Sequence, residues 1–208
     1  MKQLDKLKNI VKSKINQNKK ILGFIILLFV IGFIAGTVFM TILSKTDQSY
    51  VKEYMSSYIE NIQNKNLNYL SCFKESFLAN ILLFIVIFLL GISVIGIPII
   101  IFIYFFKSFI LGFSITSFIL AFGLKGMLYT IIFLIPHILI YTLLTILTIY
   151  AVKVSIYFIY SIFHKLDINS KVIMNQYFKI LIFSIIGIII YSLMETFVTP
   201  YFIKLITL

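Results

Sequence analysis

Apolar positions dominate the chain in long runs separated by short polar stretches. Residues 21–43 carry no charge. About 20 apolar residues at 1.5 Å rise cross a hydrocarbon core of roughly 30 Å, so this run is long enough to span. Residues 77–124 are too long for one crossing and fit two. Gly91, Gly96 and Pro98 mark the break, because a helix ends or kinks near a residue that lacks an N–H. The two spans then read as about 77–98 and 100–122. The tetrad GLKG at 123–126 predicts a tight turn. A fourth span follows over 127–150, interrupted by Pro136, and a fifth over 180–199, which Pro200 ends. A barrel strand would need only about ten alternating residues. The pattern therefore predicts an all-α, polytopic integral membrane bundle of about five transmembrane helices, a single membrane domain over 21–208.

The polar stretches carry their own periodicity. Residues 1–20 place Leu4, Leu7, Val11 and Ile15 on one stripe among lysines, a basic segment suited to membrane headgroups or to setting orientation. In 44–76 four lysines balance four acids, and Val51, Met55, Tyr58 and Ile62 recur at helical spacing. That predicts an external amphipathic segment on the membrane surface. Its stripe is the candidate partner-docking face; the other reading is a connector packed on its own bundle. Gly32 and Gly36 form a G-x-x-x-G pair in the first span, which lets another helix approach closely.

Charge then sets sidedness. Seven lysines and one Asp precede residue 21, and the segment 151–179 holds four lysines and one Asp. The positive-inside rule puts both in the cytoplasm. Five crossings then leave loop 44–76 and the C-terminus external. Composition agrees with a membrane protein: 61% of residues are hydrophobic and 12% charged, with a mean hydropathy of +1.09. Soluble domains carry about 25% charged residues. All 18 basic residues are lysine, with no Arg and no Trp. The net charge of +11 fits topology and contact with anionic membrane lipid, and no nucleic-acid partner is expected. Cys72 is alone, which excludes an internal disulfide and a Cys-based metal cluster.

No protease, hydrolase or P-loop motif is present in the sequence. No catalytic, cofactor or metal residues are expected, and the chain reads as a non-enzyme. What remains are polar stripes inside apolar spans, and such residues face the bundle interior. Lys107 lies on the third span, His137 and Tyr141 on the fourth, and Glu195 on the fifth. A charge at the bilayer centre costs roughly 2.5–3.5 kcal/mol on insertion scales, so Glu195 needs a partner. The expectation is a bond between the His137 and Glu195 neighbourhoods. It would either clip spans four and five together or belong to a proton or solute path. A path wants several titratable groups in series, so the sequence favours the clip.

Several of these pieces, in order, resemble the stage II sporulation protein M family. They are Asn80, then Gly91 and Gly96, then KSFILGFSI with Gly112 in the third span. GLKGMLYTIIFLIPHILIY follows, with Lys125-Gly126 leading to Pro136-His137, and METFVTP closes the series with Glu195, Thr199 and Pro200. Many relatives carry Asn-Gly where Lys107-Ser108 stands here, a polar residue at Ile138, and in some cases Glu at Tyr141. The resemblance implies a non-enzymatic membrane scaffold for septum dissolution and forespore engulfment at the sporulation septum. Its implied partners are the peptidoglycan-degrading sporulation proteins D and P. The alternative is a permease-type membrane subunit working with a separate ATPase.

Overall fold

The computed structural model describes the backbone of residues 2–64, 67–93, 95–164 and 170–207, and the side chains of 19–64, 67–93, 95–161 and 172–206. The described chain is helical throughout, because a backbone in lipid must satisfy its own N–H and C=O groups. Helix α1 is Lys2–Ile42, α2 Lys45–Gln63, α3 Tyr69–Ile92, α4 Gly96–Phe122, α5 Leu124–His164 and α6 Ser170–Leu193. A π-helical turn, Met194–Val198, joins α6 to α7, Thr199–Thr207. Five stretches are long and apolar enough to cross a membrane: Lys19–Ile42, Tyr69–Ile92, Gly96–Phe122, Leu124–Ser161 and Val172–Ile206. The protein is a five-crossing all-α bundle. The stripe at Leu4, Leu7, Val11 and Ile15 lies outside the described side chains.

Several boundaries differ from the sequence expectation, each for a local reason. The second span starts at Tyr69 rather than near 77. Asn68 caps it, its Oδ1 accepting from the Ser71 N–H at 3.2 Å, and the first two turns project beyond the apolar run. That span ends at Ile92 and not at Pro98. Pro98 instead sits in the first turn of α4, where a missing N–H costs nothing. Pro136 does not interrupt α5, and Pro200 does not end the last helix. The 151–179 stretch is not a loop: α5 runs on to His164 and α6 begins at Ser170. Ala151, Val152, Val154 and Ser155 are all buried, so polarity there marks the exit from the apolar layer and not the end of the helix. Lys165 and Asp167 lie outside the described residues.

The helices pack as two layers and a cap. Helix α1 lies on α4 through glycine. A Cβ at Gly36 would stand 2.0 Å from the Phe109 carbonyl oxygen, and one at Gly112 would stand 2.1 Å from that of Phe33. Gly32 meets Phe105 in the same seam. Helix α5 packs against α3, α4 and α6 around Phe84, Ile87, Ile100, Leu147 and Ile188. At one end the α3–α4 break is locked by Ser155, whose Oγ lies 2.9 Å from the Gly91 oxygen and 3.0 Å from that of Ser93. Tyr177 reaches the Ile87 and Phe88 carbonyls there at 3.3 and 3.2 Å. At the other end Gly123, with φ of 60°, turns the chain from α4 into α5 within one residue.

That second end carries the cap. Ser44 starts α2, accepting from the Asp47 N–H at 3.1 Å. The Gln48 amide donates to carbonyls at the end of α1, Met40, Thr41 and Leu43, at 3.2–3.3 Å. The amphipathic stripe of α2 then turns onto its own bundle. Ile59 and Ile62 are buried with Phe118, Tyr129, Ile132 and Ile203, while Met55 and Tyr58 pack against the same cluster. The stripe proposed for partner docking is thereby occupied, because α4, α5 and α7 offer an apolar floor within reach. Val51 is half-buried at its start. A partner would meet the opposite face of α2.

Candidate functional site

A subset of the polar side chains within the apolar layer gathers near the π-helical turn. The turn lies just before Pro200 and accommodates it. The proline ring would clash with the carbonyl four residues back, and a π turn absorbs one extra residue before it. The Thr199 N–H accordingly bonds Met194 oxygen, five residues back. The inserted residue re-aims Glu195 toward α3.

There Ser76 Oγ donates to Glu195 Oε2. Ser192 Oγ lies 3.3 Å from the same Ser76 oxygen and can donate to it, since the Ser76 proton is committed to the carboxylate. Asn80 Nδ2 donates to the Ser76 carbonyl at 2.8 Å. One turn earlier on α6, Tyr191 OH lies 3.3 Å from His137 Nε2. The other ring nitrogen, Nδ1, is 2.8 Å from the Phe133 carbonyl. A carbonyl can only accept, so Nδ1 carries a proton, and when the ring is neutral Nε2 accepts from Tyr191. Phe133 stacks on the ring at 3.8 Å between centroids.

The third link runs to α4. Tyr141 OH donates to the Lys107 carbonyl at 2.6 Å. Thr145 Oγ1 donates to the Tyr141 carbonyl at 2.7 Å, which leaves Tyr104 OH as the donor in its 2.7 Å bond to Thr145. Lys107, Asn80, Ser114, His137, Tyr141 and Tyr191 line a cavity of about 70 Å³. That is room for water. Glu195 is within electrostatic reach of Lys107, His137 and Tyr191. From α2, Tyr58 enters the same field: burial, and then the Glu195 carboxylate, push its phenol up to about 12.

The structure therefore gathers Lys107, His137, Tyr141 and Glu195 into one cluster. His137 and Glu195 are not in direct contact: Tyr191 bonds His137 and lies in the field of Glu195. Sequence reading missed Ser76, which fell in the segment read as an external loop, and it placed Tyr58 on the docking stripe of α2 rather than beside the cluster. The available signal was Ser76 and Asn80 at i, i+4 leading into an apolar run. Gly91, Gly96, Pro98, Pro136 and Pro200 shape the helices and stand outside the cluster. Interhelical hydrogen bonds in membranes contribute about 0.6 kcal/mol on average and up to ~2. Three such links, α3 to the π turn, α6 to α5 and α5 to α4, join four helices. Among the described residues no group of three or more His, Cys, Asp or Glu is placed to hold a metal ion.

Fold and site together define a multi-pass helical membrane protein with a hydrogen-bonded polar cluster between its helices. The family model for stage II sporulation protein M matches residues 25–200. The chain belongs to this family and is a sporulation-related membrane protein. No curated protein and no solved structure matches it significantly.

Proposed function

We propose that the protein is a non-enzymatic membrane scaffold for septum dissolution and forespore engulfment, holding the peptidoglycan-degrading sporulation proteins D and P at the septal membrane. The observation that carries this reading is the mounting of α2. Its apolar side is clamped on the bundle, which fixes its other side as a rigid platform. Tyr50 and Tyr54 are 66% and 73% exposed there, in line with exposed Ser57 and Asn61. By lysine distribution this platform faces the wall side, with the N-terminus cytoplasmic and the C-terminus external. The layer beyond the polar cluster supports a scaffold over a permease. Phe84, Ile87, Ile100, Leu147 and Ile188 are fully buried there, and an apolar plug does not pass a polar solute.

The test is a tagged pull-down from detergent-solubilised membranes of sporulating cells. Wild-type protein should recover the two hydrolases. Tyr50→Ala/Tyr54→Ala should lose them at an unchanged protein level. Recovery of an ATPase without hydrolases would overturn the scaffold in favour of the permease. Accessibility of single cysteines placed at Ser57 and at Lys19 to an impermeant thiol reagent would check the sidedness.

A further inference from the structure

We propose that the junction of α1, α2 and α4 is a binding site for the phosphate headgroup of an anionic phospholipid. A pocket of about 220 Å³ opens there, lined by Met40, Lys45, Gln48, Ser49, Lys52, Ser117, Leu120 and Ala121. It is separate from the intramembrane cluster and does not depend on the scaffold reading.

Three observations point to the ligand. First, the charges lining the pocket are of one sign. Lys45 and Lys52 stand two turns apart on one side of α2, and no carboxylate shares the lining. The two acids nearest in sequence, Asp47 and Glu53, are both outside the lining, and Asp47 is engaged by the cap: Ser44 Oγ donates to its Oδ2 at 2.7 Å. Second, Lys45 occupies the first turn of α2, where the helix dipole disfavours a cation and favours an anion. An anion between the lysines relieves both. Third, the pocket opens at the ends of two spans, beside surfaces that face lipid. Ile42 is 71% exposed and Leu120 49%. A phospholipid can therefore place its phosphate between the lysines and its acyl chains down those faces, which a soluble phosphate ester cannot do.

The pocket is built rather than incidental. Met40 is 2% exposed and Ser117 1%, and Ser117 Oγ is tied to the Phe113 carbonyl at 2.8 Å. Gln48 is held by the three carbonyls at the end of α1. The floor is thus fixed before any ligand arrives, and two lysines at the edge of the bilayer attract an anionic headgroup electrostatically.

The experiment uses the full chain, equilibrated with vesicles of phosphatidylglycerol and phosphatidylcholine, with retained lipid counted by native mass spectrometry. Wild-type protein should keep phosphatidylglycerol in preference. The variant K45Q/K52Q should bind it about 30-fold more weakly, from about 1 kcal/mol for each interfacial lysine. The control K74Q/K125Q removes two exposed lysines outside the pocket lining and should retain wild-type binding. Equal weakening in both variants, equal retention of phosphatidylcholine, or an unchanged K45Q/K52Q would overturn the proposal. Displacement of the lipid by soluble glycerol phosphate at similar concentration would also overturn it, by assigning the pocket to a free phosphate ester. Matching melting temperatures for the two variants will show that the fold is intact.

Discussion

The seam between α1 and α4 makes the sharpest stability prediction. Replacing Gly36 by Ala puts a methyl 2.0 Å from the Phe109 carbonyl oxygen and 2.9 Å from the Phe113 nitrogen, both backbone, whereas ordinary contact begins at 3.4 Å. No side-chain rotation relieves a clash with backbone, so the helices must part by roughly 1.4 Å at that point, and a gap of 0.5–1 Å already forfeits a quarter to a half of the dispersion attraction. The Phe39 contacts with Phe109 and Phe113, at 5.5 and 6.3 Å between centroids, would loosen with it. Overpacking of this kind costs ~1–3 kcal/mol, and a clash with backbone belongs at the upper end. The helix preference of Ala over Gly returns about 1 kcal/mol, leaving a net loss of about 2 kcal/mol. Gly112→Ala meets the Phe33 carbonyl at 2.1 Å and should cost the same. Gly23→Ala is the control, since nothing lies within 4 Å of its added methyl, and it should be neutral or mildly stabilising. Reversible unfolding in mixed detergent, followed by tyrosine fluorescence because the chain lacks Trp, gives the three values. Gly36→Ala and Gly112→Ala as stable as Gly23→Ala would refute the close-approach argument.

Other predictions concern the cluster and the opposite end. Glu195→Leu removes the acceptor of Ser76 and should destabilise the protein by ~1–3 kcal/mol, while Glu195→Gln keeps an acceptor and should lose less. Normal sporulation at normal protein level with Gln would show that the charge is dispensable. Tyr58 holds its proton to about 12 in the folded protein, whereas an unfolded tyrosine releases it near 10. Its contribution is therefore whole below about pH 10 and is lost as pH rises through about 12. Tyr58→Phe should flatten that alkaline fall in stability, and Glu195→Gln should lower the Tyr58 pKa in a difference absorbance titration. Gly91→Ala would set a methyl 2.2 Å from the Tyr177 hydroxyl and expel it from the Ile87 and Phe88 carbonyls. In a double-mutant cycle its cost should shrink in a Tyr177→Phe background, and simple additivity would count against that contact.

The five crossings were legible because a run of twenty apolar residues has few other uses. The ends of the elements were less so, and the reasons are specific. Proline in the sequence suggests a break at 98, an interruption at 136 and a stop at 200. The chain instead starts a helix around the first, runs through the second and inserts a π turn before the third. Lysines at 153, 171 and 179 were read as loop, although a helix can leave the membrane without ending. The apolar stripe of α2 was correctly periodic, yet periodicity says only that a face is covered. Which surface covers it depended on the distant residues Phe118, Tyr129 and Ile203 coming together. The same limit held for the cluster. Glu195 and His137 are conspicuous as titratable groups in apolar spans, but Ser76 looks like an ordinary polar-segment residue until α3 is in place, and Tyr58 reads as a docking-stripe residue until α2 is folded onto the bundle.

The position of Glu195 follows from the turn that carries it. An unbroken α-helix through 194–200 would rotate Glu195 relative to the residues that follow and bring Pro200 against the Thr196 carbonyl. The π turn removes that clash and at the same time sets the carboxylate against Ser76. The signature Glu-x-x-x-Thr-Pro thus has a mechanical meaning in this chain: the π turn accommodates the proline, Thr199 Oγ1 lies 3.4 Å from the Met194 carbonyl, and the glutamate is presented to α3. The cost of burying the carboxylate is offset by the hydroxyls of Ser76 and Ser192 and by the field of Lys107. Tyr58 brings α2 into the same arrangement, so the platform that would meet a partner rests on the cluster that ties α3, α4, α5 and α6. The proposed scaffold role requires a surface held still against the membrane, and hydrogen bonds that tie α3, α4, α5 and α6 beneath α2 are suited to provide it.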